Sequence, residues 1–159
     1  MTTPIGTLTV VVADTGVRAI LWDVDGEDRR VPAARGAKER SGHPLIERAV
    51  AQLAGYFAGV RRTFDLMLDP VGTEFQVAAW DALRRIPYGT TINYAEQAAM
   101  IGHPKAVRAI GSANGANPIG IVVPCHRVVG KDGSLAGFAG GLAAKQWLLE
   151  HERAIAARS

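Results

Sequence analysis

A second cysteine is missing from this chain of 159 residues, in which Cys125 stands alone. An internal disulfide is therefore excluded, and a reducing, cytoplasmic setting is expected, since small secreted folds lean on such staples. The four histidines and the one cysteine show none of the paired spacings that build a zinc site. No metal and no cofactor is expected. Long apolar runs are also lacking: none approaches the roughly 18 residues of a membrane span, and no basic-then-apolar signal opens the chain. A membrane partner is not expected.

What is present suits a folded protein. Apolar residues make up 48% of the chain, too many for disorder as a whole. The length fits one ordinary domain or two small ones. Net charge is only +3, but it is uneven. Residues 1–80 carry 9 Lys and Arg against 10 Asp and Glu, whereas residues 81–159 carry 9 against 5. The excess positive charge lies in the half with the cysteine, compatible with a polyanionic partner and equally with a solvated surface.

Two β-branched runs, 5–13 and 17–22, flank Asp14-Thr15-Gly16 and read as a hairpin. Residues 23–42, rich in charge, Gly, Pro and Ala, read as a mobile loop. Pro44 opens a helix with Leu45, Ala49, Leu53, Tyr56 and Phe57 on one side, ending near Gly59. Residues 64–68 read as a further strand and 69–72 as a linker, dividing the chain into 1–70 and 71–159. Thr73 caps a helix bearing Phe75, Ala79, Trp80, Leu83 and Ile86, stopped by Pro87-Tyr88-Gly89. Thr91 or Asn93 caps the next, and Pro104 opens another that runs to about Asn114, a pair suited to a helix-turn-helix. Residues 128–138 read as a hairpin-like loop, and 142–155 as a closing helix. The expected class is α+β: a small N-terminal α/β domain with an antiparallel sheet, then a mainly helical C-terminal domain.

The chemistry concentrates at Ile121-Val122-Val123-Pro124-Cys125-His126-Arg127-Val128. Thiols react as thiolates, and a neighbouring imidazolium or guanidinium favours that form. The plainer alternative is a small buried hydrophobe. The Pro-Cys-His-Arg tetrad, however, resembles the active-site signature of the O6-alkylguanine-DNA alkyltransferase family, the methylated-DNA–protein-cysteine methyltransferases. Ile86-Pro87-Tyr88-Gly89, Asn93-Tyr94-Ala95-Glu96, Asn114-Gly115-Ala116-Asn117-Pro118 and Gly137-Phe138-Ala139-Gly140-Gly141 also occur in family order. The resemblance is dense over 75–152 and looser toward Pro4-Ile5-Gly6-Thr7-Leu8.

That resemblance implies irreversible, once-only transfer of an alkyl group from O6 of guanine, less readily from O4 of thymine, to Cys125. It implies a water between Cys125 and His126, with Glu152 holding the far side of the imidazole. Asn117 would tie the active-site turn, and Tyr94 would crowd the target phosphate and give a proton to the departing guanine. The helix bearing Ala106, Arg108, Ala109, Gly111, Ser112 and Gly115 would lie in the minor groove, with Arg108 replacing an extruded base. Arg127 is expected among the DNA contacts. Val128, Phe138, Ala139, Gly140 and Lys145 would complete the pocket beside Cys125. Phe138 stands where a tyrosine is frequent in the family, and Ala139 where some members have serine. The expected partner is double-stranded DNA containing O6-alkylguanine, bound by a monomer.

Three rivals remain at this level. A lesion-binding relative would lack the cysteine. A Cys-His hydrolase would leave the helix-turn-helix without a purpose. A transcription regulator would read bases with longer polar side chains than this helix offers.

Overall fold

The computed structural model describes residues 1–22 and 42–158. The loop expected at 23–42 lies, but for Gly42, outside them. The chain begins with an antiparallel sheet in the order β1 (Thr2–Thr3), β2 (Gly6–Ala13) and β3 (Gly16–Trp22). The hairpin expected from the β-branched runs is β2–β3, with Val10 opposite Ile20 and a register shift between Val11 and Val12. Helix α1 (Pro44–Phe57) follows, with His43 accepting from the Leu45 N–H at its start. Its buried stripe is Ala49, Gln52, Leu53 and Tyr56.

Residues 64–68 do not form the expected strand. One parallel bridge, Leu68 to Val17, is all that pairs there. Side chains of α1 serve the Asp65 backbone instead: the Gln52 amide donates to its carbonyl and accepts from its N–H, and Arg48 Nε donates to the same carbonyl. A buried side chain satisfies what a neighbouring strand would have.

The second half is helical. Thr73 and Gln76 close a capping box on α2 (Glu74–Leu83). The helix ends three residues before Ile86, which was expected on it; Ile86 is instead held by a 3₁₀-type bond from its N–H to the Leu83 carbonyl at 3.1 Å. β4 (Ile92–Asn93) leads into α3 (Tyr94–Met100), where Asn93 and Glu96 form a second capping box. α4 (Val107–Gly115) begins later than Pro104 suggested. Pro104 lies in a turn closed by the Ala106 N–H on the His103 carbonyl, so it shapes the approach rather than the first helical turn. Three buried alanines (Ala79, Ala98 and Ala113) around Ile110 let α2, α3 and α4 pack closely. A reciprocal amide pair seals them: Gln97 Nε2 to Asn114 Oδ1 at 2.9 Å and Asn114 Nδ2 to Gln97 Oε1 at 2.7 Å, both buried.

β5 (Val128–Val129) pairs in parallel with β4 and not with a returning strand, so the hairpin-like reading of 128–138 is only a turn, closed by the Gly130 N–H on the Ser134 carbonyl. Helix α5 (Leu142–Ala156) closes the chain. One apolar core spans both halves, joining Leu8, Ile20, Leu53 and Tyr56 to Trp80, Ile119, Val128 and Leu148. The outer edge of β3 contributes to this union, with Ile20 bridging Ile119 of the second half, while Val17 on the same edge bridges Leu68 within the first. The segment that leads to Cys125 is thereby anchored on the N-terminal sheet. Among the described residues no helix is long and apolar enough to cross a membrane.

Candidate functional site

Residues 117–124 deliver Cys125 through a chain of tight turns. Ile121 is a buried residue at φ 73°, in the left-handed region that a β-branched side chain avoids. Its neighbours hold it there. The Val122 N–H bonds to the Gly120 carbonyl, and the Val123 N–H to that of Ile119. Asn117 spans the whole bend, its Nδ2 donating to the Val123 carbonyl at 2.9 Å and its Oδ1 accepting from the Ile119 N–H at 3.0 Å. Cys125, His126 and Arg127 then form one 3₁₀ turn, with Cys125 partly accessible and His126 turned inward.

The interior side of that turn is a charged network built on Glu152 of α5. Glu152 is 1% exposed, His126 0% and Arg127 6%. His126 Nε2 lies 2.7 Å from Glu152 Oε2. Arg127 grips both carboxylate oxygens, Nε at 2.8 Å and an η nitrogen at 3.0 Å, while its other η nitrogen donates to the Ile86 carbonyl at 2.7 Å. The Tyr56 hydroxyl donates to Oε2 at 2.6 Å, and the Gly89 N–H to Oε1 at 3.2 Å. Burial alone would favour the neutral acid, but His126 and the Arg127 guanidinium hold the Glu152 carboxyl well below the usual carboxylate range. Burial, with Arg127 and Lys145 adding to it, pushes the His126 imidazole down against the pull of Glu152, so the ring is neutral at rest. A neutral ring that faces a carboxylate through Nε2 carries its proton there, leaving the Nδ1 lone pair as the available base.

Around Cys125 the remaining candidates gather. Tyr94, at the start of α3, reaches the Ala136 carbonyl at 3.3 Å; burial, then the charge of Cys125, raises its phenol above the ordinary range. Lys145, 1% exposed, donates to the same carbonyl at 2.9 Å. Burial lowers its ammonium, while Cys125 opposes that shift. Phe138 packs edge-on against Trp22 of β3, with ring centres 5.3 Å apart. Gly140 is required there, because a Cβ would come within 2.5 Å of the Trp22 indole nitrogen. Val128 is fully buried behind the cysteine, whereas Ala139 is exposed.

The candidate groove residues lie on or just before α4. Arg108, Ala109, Ser112 and Gly115 are exposed, Ala106 and Gly111 half-buried. Nothing lies within 4 Å of where a Cβ would stand on Gly111 or Gly115. The face is shallow, with Arg108 as its long side chain.

Arg127 requires a correction. It was expected to touch DNA, but it is buried and its guanidinium is bound to Glu152 and Ile86, because the carboxylate could not be buried without a paired cation. Tyr56 was read as an apolar-face residue only. A phenol in a buried stripe signals a polar partner, since its O–H needs an acceptor, yet the identity of that acceptor, 96 residues away, was not legible.

Comparison with known proteins gives one answer. Residues 1–70 match the family model described as "6-O-methylguanine DNA methyltransferase, ribonuclease-like domain", and residues 74–154 the one described as "6-O-methylguanine DNA methyltransferase, DNA binding domain". A methylated-DNA–protein-cysteine methyltransferase of Methanosarcina acetivorans is 44% identical over 149 residues, covering 94% of this chain and 93% of its own length. The crystal structure of the Mycobacterium tuberculosis O6-methylguanine methyltransferase superposes with a TM-score of 0.87 at 42% identity, covering 97% of this chain and 90% of its own. A structure of the M. tuberculosis protein in complex with DNA gives 0.85 at 41% identity, covering 98% and 91%.

Proposed function

The chain belongs to the 6-O-methylguanine DNA methyltransferase family, whose members repair DNA by moving an alkyl group to a cysteine, and from that premise we propose that Cys125 is the acceptor here. The observation that carries the reading is the buried Glu152–His126 contact, which leaves a neutral imidazole with a basic Nδ1 on the residue next to the only cysteine.

The Cys125 thiol passes its proton to Nδ1 through an intervening water, and the imidazolium formed is stabilised by the Glu152 carboxylate. The thiolate attacks the alkyl carbon bonded to O6. The C–S bond forms as the C–O bond breaks, and guanine leaves, regaining a proton. Tyr94 supplies that proton; its raised pKa keeps the phenol protonated until the leaving group develops charge. Cys125 ends as a thioether, for which thiol exchange offers no return. Each molecule acts once.

A base inside the stack cannot reach a thiol, so the alkylated nucleotide is flipped into the pocket of Val128, Phe138, Ala139, Gly140 and Lys145. The α4 face, with Ala106, Ala109, Gly111, Ser112 and Gly115, enters the minor groove while Arg108 fills the space left behind. Residues 71–159 hold the DNA and the chemistry, and residues 1–70 brace them. The protein acts as a monomer in the cytoplasm, where its thiol stays reduced.

The test is intact-mass measurement after mixing with duplex DNA carrying O6-methylguanine. One methyl group gained at Cys125 is expected, and none in Cys125→Ala, which should still retard DNA in a gel within a few-fold of wild type. Repeated turnover, or a methyl group on another residue, refutes the assignment.

A further inference from the structure

We propose that Tyr56 is a positioning residue of alkyl transfer: its hydroxyl, brought by α1 from the N-terminal half, sets the basicity of the carboxylate that orients His126. The inference rests on the role given above to Cys125 and His126. The Tyr56 O–H donates at 2.6 Å to Glu152 Oε2, the same oxygen that lies 2.7 Å from His126 Nε2. The phenol is fully buried. Packing against Phe57, Phe64, Tyr88 and His151 fixes its ring. A second contact fixes its backbone, because His151 Nε2 lies 2.8 Å from the Tyr56 carbonyl. Consecutive residues of α5 thus hold one residue of α1 at both ends. This is more than packing requires, since Arg127 alone already gives both carboxylate oxygens a charged donor.

A donor on Oε2 withdraws charge from the oxygen that faces the imidazole. Without it the carboxylate attracts the His126 proton more strongly, and the imidazolium is favoured before any thiol has been deprotonated. His126 is then lost as a base at a higher pH. The other titratable and charged groups facing this pair, Arg127 and Lys145 beside His126 and Tyr88 and Arg127 beside Glu152, are unchanged by removing one hydroxyl.

The experiment measures the rate of Cys125 alkylation by the free base O6-benzylguanine against pH, by intact mass, for wild type, Tyr56→Phe and Phe57→Leu. Phe57→Leu loosens the same α1–α5 contact, where Phe57 meets Trp147, and removes one ring packed on Tyr56, but it takes away no hydrogen-bond donor to Glu152. The expected result is an acidic limb displaced to higher pH in Tyr56→Phe alone, with the rate near pH 6 down roughly fivefold, a fraction of one charge-assisted hydrogen bond. Coincident limbs for wild type and Tyr56→Phe, or equal displacement in Phe57→Leu, overturn the inference, whatever the melting temperatures. A wild-type protein that fails to react at Cys125 overturns instead the assignment on which the inference stands.

Discussion

Replacing Glu152 by Gln tests the reading of the buried network most severely. The two side chains have nearly the same shape, so little packing is lost. Charge and donor count change together. Glu152 accepts from Tyr56, His126, Gly89 and two nitrogens of Arg127. An amide presents one acceptor oxygen and one NH₂, so whichever way it turns, its NH₂ meets donors. Arg127, 6% exposed, is left as a buried cation without a counter-charge. Removing one partner of a buried pair costs about 3–5 kcal/mol. For a chain of this size about 2–4 °C is lost per kcal/mol, so the melting temperature should fall by roughly 6–20 °C. The assay is thermal unfolding followed by circular dichroism, with Arg127→Met added to Glu152→Gln as the second variant. Methionine removes the stranded charge and should recover much of the loss. A single variant melting within about 2 °C of wild type, or a double variant losing the sum of both, refutes the argument. Acid should act on the same network. The folded state holds Glu152 ionised below its ordinary value of 4.5 and His126 neutral below its ordinary value of 6.5. The unfolded chain therefore binds more protons, and stability is full above about pH 6.5, declining first through His126 and then, below about pH 4.5, through Glu152 as well.

Arg108→Ala should slow repair of duplex DNA far more than reaction with free O6-benzylguanine, which needs no flipping; equal losses on the two substrates would remove Arg108 from the helix–groove step. Alkylation of Cys125 should itself destabilise the protein. The turn at 117–125 is braced on both sides and has little room to relax, so one added methyl costs about 1–3 kcal/mol. At about 2–4 °C per kcal/mol, unreacted, methylated and benzylated protein should melt in descending order. Unchanged melting in both adducts counts against overpacking.

Local patterns reach a good part of this molecule. The capping residues Thr73 and Asn93, the β2–β3 runs and the stripe of α1 identify their elements, because each signal lies within a few residues of what it determines. The same holds for the small-residue face of α4 and for the candidate thiol at Cys125 beside His126. Residues 64–68 mark the limit. Their apolar pattern suits a strand, but strand pairing needs a neighbour, and Gln52 filled that place.

Of the long-range contacts to Glu152, only that of His126 was expected, through the family resemblance; those of Tyr56 and Arg127 were illegible for the same reason. Glu152 near the end of a helix looks solvated, and Arg127 beside the thiol looks like a hand for DNA. Only the packing of α1 and α5 around the 3₁₀ turn puts Tyr56, Arg127 and His126 on one carboxylate, across separations of 25 to 96 residues. The sequence by itself pointed to the cysteine, the histidine next to it and the small-residue helix as candidates, all of which are adjacent or periodic features. The tertiary structure alone decided which charges are buried and which oxygen each donor reaches, because burial and hydrogen-bond geometry are properties of the assembled core.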